Sequence, residues 1–235
     1  MMTAVVLREA RTQFQSGLTW LYLGMPAIWI LIVRLLPVQA RSITVLVGMY
    51  SDPVMLGSIF TGAFLARERD QGLFGAWAVT PMDAGSWLAA RILLVAVQGT
   101  IGGLILALGS GVQFHPGRLA AALVFASGCG ALTGLLLARP FTDIMSFFVF
   151  GGISSSVITL PVALAYLHPS WAWQLTGPSW PGWSALAGSL QDVPTAGSSY
   201  ALSLFSLAVW AVLMFLLVRR MYHRGFFRRP GGRIK

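Results

Sequence analysis

The sequence predicts an all-α, polytopic membrane protein with six transmembrane helices. Of its 235 residues, 56% are hydrophobic and only 10% are charged, and the mean hydropathy is +0.74. Soluble domains average about 45–50% apolar and about 25% charged residues. Apolar stretches long enough to cross about 30 Å of hydrocarbon recur along the chain. Because a 25.3 kDa chain leaves no room for a large soluble domain besides them, we expect residues 1–235 to form one transmembrane domain.

The first 17 residues are expected to form an amphipathic helix in the membrane interface. Leu7, Ala10 and Phe14 share one helical face, and charged and polar residues occupy the remaining positions. Glu9 lies among the basic residues, and no small-residue cleavage pattern follows the first apolar run. The segment therefore differs from a signal peptide, and we expect it to be retained.

Six spans are predicted after this helix, and they alternate between inner and outer connections. Their predicted positions are residues 18–36, 43–66, 88–111, 119–138, 144–166 and 200–221. An even number of spans places both termini on one side, and that side receives 13 of the 16 Lys and Arg residues. The other side receives Arg34, Arg41 and Arg118. By the positive-inside rule both termini are expected in the cytoplasm.

The outer segment 167–199, between spans five and six, is expected to contain one or two short re-entrant helices. Prolines interrupt it, and its indoles suit the headgroup layer. These residues are Trp171, Trp173, Trp180 and Trp183 with Pro169, Pro178, Pro181 and Pro194. An aromatic belt that anchors a loop and a gating element are both compatible with this composition.

The basic tail, residues 222–235, continues a stretch from Arg219 in which basic and aromatic residues alternate. Such a pattern can resemble a nucleic-acid patch. Because the tail directly follows a span, attraction to anionic lipid at about 1 kcal/mol per charge explains it without nucleic acid.

Small residues predict close helix packing. Gly99 with Gly103, and Gly130 with Gly134, have the spacing that brings helices together, either within the chain or between protomers. Cys129 is the only cysteine, so no intrachain disulfide or cysteine metal cluster can form, and we expect a buried packing residue.

The residues that are missing exclude several enzyme classes. The only lysine is Lys235, so a P-loop is impossible and any ATP must be held by a partner. His115, His168 and His223 lie in separate loops or the tail without an H-E-x-x-H pair, which excludes ordinary metalloprotease chemistry. Gly109-Ser110-Gly111 lacks the wider context of a serine nucleophile. We therefore expect no catalytic site and no metal.

Residues 67–82, which we call the island, begin with a charged stretch and continue with an apolar stripe. Arg67 and Glu68 end the second predicted span, Arg69 and Asp70 add two more charges, and Gly72 lets the chain turn. Leu73, Phe74 and Trp77 then fall at helical spacing before Pro81 ends the helix. Large apolar side chains on a surface helix need a cover, which a docked partner or lipid can provide.

Asp52 is the acidic residue that hydropathy places within a span, followed by Pro53. A carboxylate at bilayer depth costs several kcal/mol unless it is neutral, hydrated or facing a cavity. Asp52 can therefore line a translocation path for cationic or zwitterionic cargo. Alternatively, it caps a helix that begins at Pro53, with residues 43–51 as an entry segment.

Three stretches resemble the type-2 ABC exporter permeases, especially fluoroquinolone-export permease subunits. They are Asp52-Pro53, the run from Arg67 to Gly72 that leads to Val79-Thr80-Pro81, and Leu167 to Trp171. The resemblance implies a coupling helix at Glu68 to Pro81 that sits in a groove of an ATPase subunit. It also implies a dimer of six-span permeases, identical or homologous, with two ATPase subunits that bind ATP and magnesium. Many members have a lysine near the island, where this chain has arginines.

The sequence thus predicts a permease subunit of an ATP-driven exporter in a bacterial inner membrane, which moves a small amphipathic compound such as a drug. A haem or cofactor-maturation permease is one alternative. The other is a membrane scaffold or channel-like component that works without an ATPase.

Overall fold

Helices make up most of the chain in the computed structural model, which describes residues 2–15, 18–72, 84–141, 143–167, 170–193 and 199–226. The α-helices are α1 Met2–Gln15, α2 Leu18–Leu35, α3 Val38–Met49, α4 Gly57–Asp70, α5 Ala84–Ser110, α6 Pro116–Leu137, α7 Ile144–Leu167, α8 Ser179–Ala187 and α9 Tyr200–Phe226. A π-helical segment, Tyr50–Leu56, joins α3 to α4, and a 3-10 helix, Trp171–Leu175, precedes α8. The predicted all-α class is confirmed.

Five helices in the described ranges are long and apolar enough to cross a membrane. They are Val38–Asp70, Gly85–Ser110, Pro116–Leu137, Ile144–Val162 and Tyr200–Tyr222, which match predicted spans two to six. Predicted span one matches α2, in which Gly24–Leu35 forms a shorter apolar helix. At 1.5 Å per residue the 18 residues of α2 extend about 27 Å. The count of six spans stays a prediction.

The continuous helix Val38–Asp70, which we call the second span, is longer than expected from residues 43–66. Its 33 residues extend about 50 Å, compared with about 30 Å of hydrocarbon. The charged residues at its C-terminal end are therefore part of the helix, and the helix continues beyond the apolar stretch.

Helix α1 packs against α5 and α2. Leu7 and Phe14 on its predicted apolar face are 70% and 52% exposed, so they point away from the bundle. The Phe14 ring lies 5.1 Å from that of Trp20. An exposed apolar face is what an interfacial helix presents to lipid, which supports the predicted placement of α1.

Hydrogen bonds between connecting segments define one end of the bundle, which we call the outer end. The N–H of His115 donates to the carbonyl of Ser189 at 2.9 Å, which ties the α5–α6 turn to the segment after α8. Arg34 Nε donates to the carbonyl of Gly109 at 2.9 Å. The Tyr200 hydroxyl donates to the carbonyl of Arg118 at 2.8 Å. Arg34 and Arg118 are two of the three basic residues assigned to the outer side.

Helix α8 is buried inside the bundle, where it packs against α9, α7 and α6. Trp180 is 1% exposed, and the Trp183 ring lies edge-on to that of Tyr50 at 5.4 Å. A role for these two indoles in a headgroup belt was therefore wrong, because they fill the core. The outer segment does contain two short helices, the 3-10 helix and α8; whether they are re-entrant stays a prediction.

The paired glycines bring helices together within this chain. A Cβ atom on Gly130 or Gly134 of α6 would collide with the backbone carbonyl of Val54 or Ser58 in the second span. On α5, a Cβ atom on Gly99 or Gly103 would collide with the side chain of Ser127 or Leu123 of α6. The sequence left open whether these glycines pack helices within the chain or between protomers, and in the structure they pack helices within the chain.

Cys129 is a buried packing residue, as expected. Its thiol lies on α6 and donates a weak hydrogen bond of 3.7 Å to the carbonyl of Leu207 in α9. The residue therefore contributes to the α6–α9 contact.

Candidate functional site

Three charged side chains meet where α1, α4 and α5 come together, at the end of the bundle opposite the outer end. We call Glu9, Glu68 and Arg91 the inner ion cluster. Arg91 Nη1 donates to Glu68 Oε2 at 2.8 Å, and its Nη2 donates to Glu68 Oε1. Arg91 Nε donates to Glu9 Oε1 at 2.8 Å. One guanidinium thus holds two carboxylates that are 59 residues apart in the sequence.

Helical periodicity directs these side chains inward. On α5, Trp87, Arg91 and Val95 follow at four-residue spacing, and all three are buried. On α4, Thr61 and Glu68 lie on one buried face. The ion cluster therefore continues the packed faces of both helices.

The surroundings of Arg91 make its pairing obligatory. The side chain is 2% exposed, and a guanidinium stays protonated in proteins. Its carbon atom lies 4.7 Å from the Trp87 ring centroid and 6.0 Å from that of Phe64, which adds cation–π attraction. Loss of one partner of a buried ion pair costs roughly 3–5 kcal/mol. The inner ion cluster therefore holds the three helices firmly together.

The α1 side of the cluster has its own support. Gln13 Nε2 donates to Glu9 Oε1 at 3.4 Å, one turn along the same helix, and Gln13 is 5% exposed. Glu9 is thus held between its own helix and α5, and this contact fixes α1 to the bundle.

Arg69 joins the two inner turns of the chain. Its Nη1 donates to the carbonyls of Ala138 at 3.0 Å, Arg139 at 2.6 Å and Phe141 at 3.1 Å. These carbonyls follow the C-terminal end of α6, where backbone oxygens lack helical partners and attract a cation. The end of the second span and the α6–α7 turn are thereby held together.

The second inner turn also carries a helix cap. Asp143 directly precedes α7, and its Oδ1 accepts the backbone N–H of Ser146 at 2.8 Å. This hydrogen bond lowers the pKa of the exposed Asp143 carboxyl below its usual value. A charged cap at this end of α7 matches the positive end of the helix dipole.

The remaining described residues of the island are exposed. Arg67 and Asp70 face solvent, and Gly72 has φ +68°, the left-handed conformation that glycine adopts most readily. The expected turn at Gly72 is therefore present. The apolar stripe of Leu73, Phe74 and Trp77, and Pro81 after it, lie outside the described residues.

The second expected site, Asp52 with Pro53, lies within the π-helical segment. The helix continues through both residues, so Asp52 does not cap a new helix at Pro53; that alternative was wrong. Short π-helical stretches inside α-helices occur frequently at functional sites. Asp52 is 7% exposed, about 21 Å from the start of the second span at 1.5 Å per residue.

A small cavity adjoins the Asp52 carboxyl. Its walls come from α2, the second span and α5, and it holds about 10 Å³. The Ser51 hydroxyl and the Trp29 indole face the carboxyl, but among the described residues none completes a hydrogen bond to Oδ2. A cavity of this size has room for about one water molecule, which would hydrate the remaining oxygen.

Sequence reasoning missed Arg91 and Glu9 as members of a site. Arg91 was counted only as an inner positive charge, although it lies inside the predicted span 88–111. A charge within a span needs a partner, and that requirement was the signal available for Arg91. For Glu9 no sequence signal existed, because its proximity to Arg91 depends on how α1 docks.

Curated relatives support the resemblance drawn from the motifs. Two fluoroquinolones export permease proteins of Mycobacterium tuberculosis, from strains CDC 1551 / Oshkosh and ATCC 25618 / H37Rv, are 24% identical to this chain over 152 residues. The match covers 64% of this chain and 60% of each relative. No family model and no solved structure matches the chain. The chain thus resembles exporter permeases over part of its length.

Proposed function

We propose that this chain is the transmembrane permease subunit of an ATP-driven ABC exporter that carries a small amphipathic compound out of a bacterial cell. The names of the two curated relatives support an export permease. The observation that carries the coupling proposal is the inner ion cluster, since it links the end of the second span to α5 and α1. Both termini would be cytoplasmic in the inner membrane.

The energy source would be a partner. Lys235 is the only lysine, so this chain has no means of building a P-loop. Two ABC ATPase subunits would bind ATP and magnesium beneath two permease subunits, which are identical or homologous. The basic tail would attract anionic lipid.

The island would transmit the movement of the ATPase subunits to the permease. In this proposal the segment from Leu73 to Pro81 docks with the ATPase, and Gly72 connects that segment to α4. Glu68 would then act by positioning, because its carboxylate is engaged with Arg91. A displacement of α4 would move α5 and α1 through the ion cluster, and the α6–α7 turn through Arg69.

The cargo path would pass the π-helical segment. Asp52 is buried within this segment next to Pro53, and at bilayer depth an acidic group would favour cationic or zwitterionic compounds. Fluoroquinolones, named for the two relatives, are the first compounds to test.

Transport into inside-out membrane vesicles tests the proposal. Vesicles that contain the chain with its ATPase should accumulate a fluorescent fluoroquinolone when ATP is added. A Trp77→Ala variant should lose accumulation although the chain remains in the membrane at its normal level. Equal accumulation with and without ATP would contradict the proposal and favour an ATPase-independent component.

A further inference from the structure

We propose that Tyr222, near the end of α9, is a positioning residue for the inner ion cluster. Its ring holds the Trp87 indole beside the Arg91 guanidinium, and its hydroxyl ties that ring to α6. The positioning role concerns this chain alone. A role for α9 in coupling follows from it and rests on the proposed exporter function.

The Trp87 indole packs beside Arg91. Both residues lie on α5, one helical turn apart, and each is 2% exposed. The guanidinium carbon of Arg91 lies 4.7 Å from the centre of the Trp87 ring. Because the guanidinium is planar, a ring at this distance limits the directions in which its N–H groups can point. The position of the indole therefore affects how Arg91 meets Glu68 and Glu9.

Tyr222 packs against the same indole from α9. The centres of the two rings are 6.1 Å apart, and their planes are tilted by 54°. Aromatic rings attract each other in tilted arrangements with centres about 4.5–7 Å apart. Tyr222 is 5% exposed, so its ring is part of the packed core beside the inner ion cluster. Helix α9 thus contributes a side chain that limits the movement of the Trp87 ring.

A hydrogen bond holds the Tyr222 ring in place. Its hydroxyl donates to the carbonyl of Leu135 on α6 at 2.9 Å, and the contact is buried. This carbonyl lies in the last turn of α6, where backbone oxygens lose their helical partners. The N–H of Arg139, four residues further on, donates to the carbonyl of Leu136 at 3.3 Å. The Tyr222 hydroxyl therefore takes the place of a helical donor, and rotation of the ring would break this buried bond.

These contacts extend the connection between helices beyond the inner ion cluster itself. The cluster joins α1, α4 and α5, and the pair of Trp87 and Tyr222 adds α9 and α6. Arg69 already links α4 to the turn that follows α6. In the proposed exporter, a displacement of α4 would therefore reach α9 through Arg91, Trp87 and Tyr222.

Nitrogen-15 NMR of the full-length chain, labelled at arginine Nε and placed in lipid nanodiscs, tests the positioning role. The Arg91 Nε–H signal, identified by its absence from Arg91→Lys, is sensitive to the nearby ring and to exchange with solvent. We expect Tyr222→Phe to shift this signal and to speed its hydrogen exchange about threefold to tenfold, because one hydrogen bond is lost. Tyr222→Leu, which also removes the ring, should have a larger effect.

Tyr200→Phe is the matched control at the other end of α9. The Tyr200 hydroxyl donates to another α6 carbonyl, that of Arg118, at 2.8 Å. The change removes the same kind of bond between the same two helices, and it should leave the Arg91 signal unchanged. Equal shifts in Tyr222→Phe and Tyr200→Phe, or an unshifted signal in Tyr222→Phe, would overturn the positioning role.

Transport measurements test the role of α9 in coupling. In vesicles that contain the chain with its ATPase, Tyr222→Phe should lower the amount of fluoroquinolone accumulated per ATP hydrolysed at least about twofold, whereas Tyr200→Phe should not. Equal ratios in the two variants would contradict the coupling role. If the unchanged chain shows no ATP-driven accumulation, the proposed function fails and the coupling role with it, whereas the Arg91 signal decides the positioning role separately.

Discussion

Replacing Arg91 with Met should destabilise the protein strongly, because the change leaves two buried carboxylates without a cation. Glu9 and Glu68 each contact Arg91 at 2.8 Å, and their side chains are only 12% and 11% exposed. Breaking a buried pair costs roughly 3–5 kcal/mol, and here one substitution unpairs two acids. We therefore expect Arg91→Met to lower the free energy of unfolding by about 3 kcal/mol or more.

Controls in the same series identify the cause. Arg67→Met removes an exposed arginine from the same end of α4 and should change stability by less than about 0.5 kcal/mol. Arg91→Lys should cost an intermediate amount, since an ammonium cannot bind one carboxylate with two nitrogens and reach the other. The triple variant Glu9→Gln, Glu68→Gln, Arg91→Met should recover much of the loss, because no charge is left buried.

The assay is reversible unfolding in mixed micelles, with the free energy of unfolding obtained by titration of a denaturing detergent. If Arg91→Met lowers the free energy of unfolding no more than Arg67→Met does, the inner ion cluster does not hold the three helices together. If the triple variant is less stable than Arg91→Met, unpaired charge is not the reason for the loss.

The remaining predictions concern the second inner turn, the helix contacts and the path. Arg69→Ala should lower the free energy of unfolding by about 1–3 kcal/mol, because three carbonyls lose one donor, and should speed hydrogen exchange in the α6–α7 turn. Gly134→Ala should sharply reduce the yield of folded protein, because the new Cβ atom would collide with a backbone carbonyl. Gly152→Ala is the control and should be neutral, since its Cβ atom would meet open space. The yield from size-exclusion chromatography measures both effects. Asp52→Asn should lower uptake of a cationic cargo into vesicles and leave ATP hydrolysis intact; unchanged uptake of the true cargo would count against the path. Glu68→Ala with Trp77→Ala should let ATP hydrolysis proceed without transport, and retained coupling would argue against docking by the island.

Hydropathy could predict most of the fold because lipid imposes a length and a composition on each span. Predicted spans two to six coincide with long apolar helices. The exact extent of the second span could not be predicted, because helix Val38–Asp70 continues into its charged end. Hydropathy detects the apolar part of such a helix and not the hydrogen bonds that extend it.

Burial within the outer segment could not be predicted in the same way. A tryptophan in a proline-rich segment suits both a membrane interface and a core. Trp180 is buried because α8 packs between other helices, a long-range contact that local composition does not encode.

The candidate site was predicted in part. The turn at Gly72 and the position of Asp52 inside a long apolar helix followed from residue type and position. The partner of Glu68 could not be predicted, because Arg91 comes within reach of Glu68 and Glu9 only after three helices have packed. The sequence indicated a charged surface for docking, whereas the structure has one of those charges inside the protein.

Isolation of the protein from its native membrane in a mild detergent, followed by identification of the bound subunits, tests the exporter proposal most directly. We predict that an ABC ATPase subunit is recovered in equal amount with the permease, and that Trp77→Ala releases it while the permease stays intact. Recovery of the permease without any nucleotide-binding subunit would contradict the account.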